Sequence, residues 1–138
     1  MAGLTSGVEE AAAIMAGERP IAIMHSPHQN VMLDLPAGAK ARKDVPIGRG
    51  VLDYFPAALA EVARVSKAGN DQHNPGQPIH WARGKSSDHW DCILRHGIER
   101  GTKDQIDGLR HSAKLAWRAL ALLQEELEAE AGFKPEGT

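Results

Sequence analysis

Cysteine occurs once, at Cys92, so no disulfide can close within the chain and a reducing compartment suits it. Aromatic residues make up only 4% of the sequence, which leaves packing to Ala, Leu and Val, as between closely laid helices. No apolar run approaches the roughly 20 residues needed to span a bilayer, and no basic stretch followed by an apolar one opens the chain. A membrane partner is therefore not expected, and the cytoplasm is the expected location. Formal net charge is only −2, which argues against stable nucleic-acid binding. Several catalytic signatures are also missing. There is no G-x-x-x-x-G-K-[ST] phosphate loop, no G-x-S-x-G, no H-E-x-x-H and no cysteine pair, so neither nucleophilic catalysis nor a structural zinc site is indicated.

What is present is concentrated. At 138 residues the chain has room for one domain with a modest core. Between Asp88 and His111 lie three histidines, five carboxylates and four arginines or lysines. At 100° per residue, Asp88, Asp91, Arg95 and Glu99 share one sector of a helix, with Trp90, Ile93, Leu94 and Ile98 on the opposite side. After a short break, Asp107 and His111 stand four apart on what reads as the next helix. Two helices that each present acids and a histidine can hold a hard divalent cation, and phosphate substrates arrive with such ions. From Trp81 to Arg118, eight Lys or Arg face five Asp or Glu, whereas from Ala119 onward five Glu face Lys134 alone. A locally basic site in a mildly acidic chain suits a small anionic ligand better than a long polyanion.

The chain divides into three expected parts. Residues 1–41 hold a short helix (8–16) and an extended arm broken by Pro20, Pro27 and Pro36; His25 and His28 in that arm are given no role. Residues 42–131 form a helical domain, and residues 132–138 a flexible tail. Within the domain, a helix is predicted over 53–69, with Asp53 as cap and Pro56 in the first turn. Pro75, Gly76 and Pro78 then enforce a polar loop. A second helix starts at 86–88, weakened by Gly97 and Gly101, and a third is predicted over 104–131. In the third, Leu109, Ala113, Ala116, Leu120, Leu123 and Leu127 make a bundle seam, with Leu115, Trp117 and Leu122 off it. A helix apolar on several sides needs several neighbours, so a homo-oligomer is expected.

Each reactive side chain also has a plain reading. Asp88 can be a helix cap, Asp91 with Arg95 a surface ion pair of a few tenths of a kcal/mol, and Glu61 a partner of Arg64. Glu61 is the one acid in its helix and either faces solvent or meets a cation, because a bare buried carboxylate is costly. His96 and His111 can ligate a metal or transfer protons near neutral pH, or simply bond a nearby carboxylate. Trp81 can stack on a nucleobase while Arg83 and Lys85 meet phosphates, or anchor a loop as a buried ring.

Taken in order, Arg42-Lys-Asp44, the stretch Leu52 to Val65, the Lys67-Ala-Gly-Asn70 helix end, the His-Asn-Pro-Gly loop with Trp81, Ile93-Leu-Arg95-His96 and Asp107-Gly-Leu-Arg-His111 resemble the phage dATP/dGTP diphosphohydrolase N-terminal domain family. The resemblance runs from about Arg42 to Glu128. It implies hydrolysis of a purine deoxynucleoside triphosphate to monophosphate and pyrophosphate with Mg2+ or Mn2+, in the cytoplasm of an infected bacterium. It also implies an all-α bundle of the nucleotide pyrophosphatase type, similar to the MazG-like enzymes, assembled as a dimer or tetramer. The MazG-like Glu-Glu-x-x-Glu and Glu-x-x-Asp helices are missing from their places here. The implied metal ligands are then Glu61, Asp88, Asp91, Glu99 and Asp107, with His96 or His111 as ligand or base. Arg83, Lys85, Arg95 and Arg110 are the expected phosphate contacts, Trp81 and Asn70 are expected toward base or sugar, and Lys67 and His73 are further substrate-binding candidates. Where relatives carry a second histidine three residues beyond His111, this chain has Lys114, which suits phosphate rather than metal.

Two rival functions stand beside this one. A His-Asp-type dNTP phosphohydrolase would release triphosphate, but its adjacent His-Asp pair does not occur. The other rival is a non-enzymatic nucleotide sensor or phage assembly protein whose polar helix faces are subunit contacts.

Overall fold

The computed structural model describes residues 35–133. The expected short helix at 8–16, the arm up to residue 34 and the last five residues lie outside them. The described residues are helical, with no strand beyond one isolated bridge. In chain order they form α1 (Ala39–Lys43), a π-helical turn at Gly48–Leu52, α2 (Pro56–His73), α3 (His89–Ile98) and α4 (His111–Glu130). None is long and apolar enough to cross a membrane.

The 20-residue α4 is the central rod: α3 packs along it on one side and α2 on another, while α2 and α3 do not pack on each other. The space left between them is the feature that positions the site. Pro56 lies in the first turn of α2 as predicted, but Phe55 and not Asp53 stands at its N-cap, Asp53 closing the π-helical turn instead, and the helix runs past Gly69 to His73. Asn70 explains the extension, because its Nδ2 donates to the Gln77 carbonyl (3.0 Å) and its Oδ1 accepts the His80 N–H (3.0 Å). One buried amide thus closes the loop the prolines enforce, and it can do so only from the helix's last turn.

The third helix begins at His111, not at 104. Asp104 Oδ1 accepts the Ile106 N–H (2.8 Å) and Asp107 Oδ1 the Leu109 N–H (2.9 Å), so two Asx turns compete with helix over this stretch. Gly108 takes φ +71°, and an antiparallel bridge joins Lys103 to Arg110. Asp107 therefore sits on the loop before α4 and not on a helix face with His111. At the other end, Gly132 at φ +74° ends α4 where the sequence predicts.

The helix faces also differ from the predicted ones. On α3 the inward side is His89, Cys92, Ile93, His96 and Gly97, while Trp90, Leu94 and Ile98 are 62%, 48% and 80% exposed. Gly97 packs beside Leu115 of α4, where an added Cβ would meet Leu115 Cδ1 at an ordinary contact distance of 3.6 Å. On α4, Leu120, Leu123 and Leu127 of the predicted seam are exposed, and the inward side holds His111, Ala113, Ala121 and Glu128. Among the described residues the buried apolar side chains are Cys92, Ala113 and Ala121 alone, and no large side chain is fully buried. Small and polar groups, not large apolar ones, bring these helices together.

Candidate metal centre and nucleotide cleft

Polar residues spaced by sevens build the α3–α4 interface. His89 and His96 repeat on α3, and His111, Arg118 and Glu125 on α4, so each set forms one stripe. The helices run antiparallel: His96 meets His111, whereas His89 meets Arg118 and Glu125.

At the first meeting, His96 Nδ1 and His111 Nδ1 lie 3.1 Å apart, and Glu99 Oε2 lies 3.3 Å from the same His111 nitrogen. Glu99 reaches there from the C-terminal cap of α3. Ligand atoms of the three residues all fall within 4.8 Å of one another, the one such grouping of His, Cys, Asp and Glu among the described residues. Nitrogen and oxygen ligands at about 2.0–2.2 Å from one ion stand about 2.8–3.6 Å apart in octahedral or tetrahedral arrangement. The two observed separations fall in that range, so the donor set fits a divalent cation. Burial, then the neighbouring His111 and Lys114 charges, lower the pKa of His96 below the ordinary imidazole value. A neutral ring with a free lone pair is the form a metal requires.

Of the other expected ligands, none joins this group. Asp107 Oδ2 binds Lys114 Nζ at 2.7 Å, and Asp104 Oδ2 binds the same ammonium at 2.6 Å. Burial would raise the Asp107 pKa, but the Lys114 and Leu109 hydrogen bonds outweigh it and the net shift is downward. Glu61 pairs with Arg64 along α2, its plain reading. Asp88 pairs with Arg95 at 3.3 Å, and hydrogen bonds from Ser86, then Cys92 and Arg95, hold its pKa down to about 2. Asp91 is exposed on α3.

Beside the triad a cleft of about 950 Å³ opens between α2 and α3 over α4, roofed by the 74–88 loop. His96 belongs to both, lining the cleft and standing in the triad. Trp117 forms one wall, held by an Nε1–H···Oγ bond to Ser66 (2.6 Å) and an edge-to-face contact with Trp81 (5.8 Å between centroids). Of the expected substrate contacts, Asn70, His73, Trp81, Lys85 and Lys114 line the cleft. Lys67 instead pairs with Asp71 at 2.6 Å, Arg95 with Asp88, and Arg110 is exposed at the cap of α4. Arg83 lies over the Trp81 ring at 4.1 Å and binds both Glu128 oxygens from Nε (2.8 and 3.1 Å), which fastens the roof to α4.

A family model described as dATP/dGTP diphosphohydrolase, N-terminal, matches residues 37–133. The chain belongs to that family. No curated protein and no solved structure matches it. For this diphosphohydrolase-family chain, Ser86, His89, Trp117, Arg118, Glu125 and Glu128 enter the site without having been singled out in the sequence. The signal that finds three of them, His89, Arg118 and Glu125, is the seven-residue recurrence of polar residues on the two helices, at 89 and 96 and at 111, 118 and 125.

Proposed function

We propose that the protein hydrolyses a purine deoxynucleoside triphosphate to the monophosphate and pyrophosphate, with a divalent cation held by His96, Glu99 and His111. The observation that supports this best is that His96 faces both the triad and the cleft, so a cation there would adjoin whatever the cleft binds. The family's description supplies the substrate class. Two imidazoles and one carboxylate favour Mn2+ over Mg2+, because nitrogen ligands suit the later ion better than an all-oxygen one. When bound, such a cation supplies Lewis acidity toward a phosphoryl oxygen and toward water.

The chain's own groups do the rest. Lys85 lines the cleft as an ammonium group that attracts polyphosphate and offsets charge building on the departing pyrophosphate, whereas the Lys114 ammonium, also in the lining, is engaged by Asp104 and Asp107. Burial alone would lower the Lys114 pKa, but its bonds to Asp104 and Asp107 outweigh that and raise it, so it stays charged. The Asn70 clasp and the Arg83–Glu128 tie keep the roof in place over the nucleotide.

Resolving the products formed from each dNTP with Mn2+ or Mg2+ tests the reading. Monophosphate plus pyrophosphate from dATP or dGTP is the expected result. Nucleoside plus triphosphate would point to His-Asp-type chemistry instead, and no turnover would leave a binding or assembly role.

A homo-oligomer belongs to the same proposal. Trp90, Leu94 and Ile98 make an exposed apolar stripe on α3, while Leu120, Leu123 and Leu127 are exposed on α4. With so little apolar burial inside the described residues, a second copy is the natural cover. Light scattering after size exclusion should give a multiple of 14.9 kDa, and Leu94→Glu with Ile98→Glu should reduce it.

A further inference from the structure

The second meeting of the polar stripes, at His89, Arg118 and Glu125, lies on the cleft wall and has no part in the metal triad. Arg118 Nη1 stands 3.3 Å from His89 Nδ1 and donates to Ser86 Oγ at 2.8 Å. A guanidinium has only donors, so Nδ1 accepts and the imidazole proton sits on Nε2. Nε2 lies 3.2 Å from Glu125 Oε2 but is not aligned to bond it. As a result His89 Nε2 and Glu125 Oε1, both buried atoms, have no hydrogen-bond partner among the described residues. A buried donor beside a buried acceptor, neither of them hydrogen-bonded, is the pattern that a ligand with the complementary pair completes.

Resting on the nucleotide-hydrolysis reading above, we propose that His89 Nε2–H and Glu125 Oε1 bind the Watson–Crick edge of the purine base. That edge places an acceptor next to a donor in both purines: N1 beside N6–H in adenine, and O6 beside N1–H in guanine. Glu125 accepts from the base and His89 donates to it. Trp117 offers the base an apolar wall from the same cleft. The spacing also fits. His89 and His96 are seven residues apart on α3, about 10.5 Å at 1.5 Å per residue, which sets the base subsite one nucleotide's reach from the cation ligands. The arrangement accounts for a family description that names adenine and guanine substrates together.

The test uses nucleosides, which lack the phosphates and so do not depend on the metal or on hydrolysis. NMR titration of the full-length protein should show deoxyadenosine, deoxyguanosine and 7-deazadeoxyguanosine binding in the cleft. N1-methyldeoxyguanosine should bind about 10- to 100-fold more weakly, the worth of a hydrogen bond to a charged group. Glu125→Ala should weaken deoxyguanosine by a similar factor and abolish the discrimination against the N1-methyl form. Equal binding of deoxyguanosine and its N1-methyl form would overturn the proposal, as would binding unchanged in a folded Glu125→Ala. So would turnover of dGTP with no nucleoside binding, and that result would leave the hydrolysis reading standing. The predicted nucleoside pattern without any triphosphate turnover would do the reverse.

Discussion

Replacing Glu128 by Gln should unfold this protein more than any other isosteric change in the cleft's surroundings. The Arg83 and Glu128 side chains are 5% and 3% exposed, and the carboxylate takes Arg83 Nε on both oxygens and Gln124 Nε2 at 2.9 Å. Gln keeps the volume and removes the carboxylate's charge from this buried pair. Breaking a buried pair from one side costs about 3–5 kcal/mol. In a domain of about 100 residues, each kcal/mol moves the melting temperature by roughly 4–8 °C, so a drop of more than about 12 °C is expected. Since Arg83 also lies over Trp81, the roof should loosen first and tryptophan fluorescence should change below the main transition. The paired replacement Arg83→Met with Glu128→Leu should recover part of the loss, because it removes both charges of this pair together. Thermal melts of wild type and the two variants decide it. A Glu128→Gln protein melting within about 3 °C of wild type, or a double variant no better than the single, would refute the reasoning.

Asp88 should titrate with a midpoint of about 2 by carboxyl NMR, and Ser86→Ala, which removes the largest cause, should move it up toward 3.8. Its folded pKa lies below the unfolded value, so its contribution to stability is present above about pH 4 and is lost as pH falls toward 2. Gly108→Ala should cost about 1–2 kcal/mol in denaturant unfolding, although nothing lies within 4 Å of the added Cβ. There the φ of +71° is the whole cost, and an unchanged midpoint would remove the Asx-turn account of the 104–110 loop.

Helix content was legible because its signals are local: Pro56 at a helix start, Pro75 to Pro78 as a break and Gly132 as a stop all act within a few residues. The helix faces were not. Apolar periodicity places Trp90, Leu94 and Ile98 inward, yet α3 turns His89, Cys92 and His96 toward α4, because polar groups find partners across that interface and the apolar stripe does not. The start of α4 was obscured by Asp104 and Asp107, whose side chains hold turns in a stretch that counts as helical by spacing. The pairing of His96 with His111, and of both with Glu99, depends on the antiparallel docking of two helices. Sequence spacing brought the three into one candidate region but also brought in Asp88, Asp91 and Asp107, which bind or stand beside their own neighbours.

The cation is the account's central claim, and equilibrium Mn2+ binding followed by electron paramagnetic resonance tests it most directly. Wild type should take up one ion per chain, with hyperfine signatures of imidazole nitrogen, while His111→Ala and Glu99→Gln should each lose that uptake with helical content unchanged. Undiminished binding in both variants, or nitrogen-free ligation in the wild type, would contradict a metal held between α3 and α4.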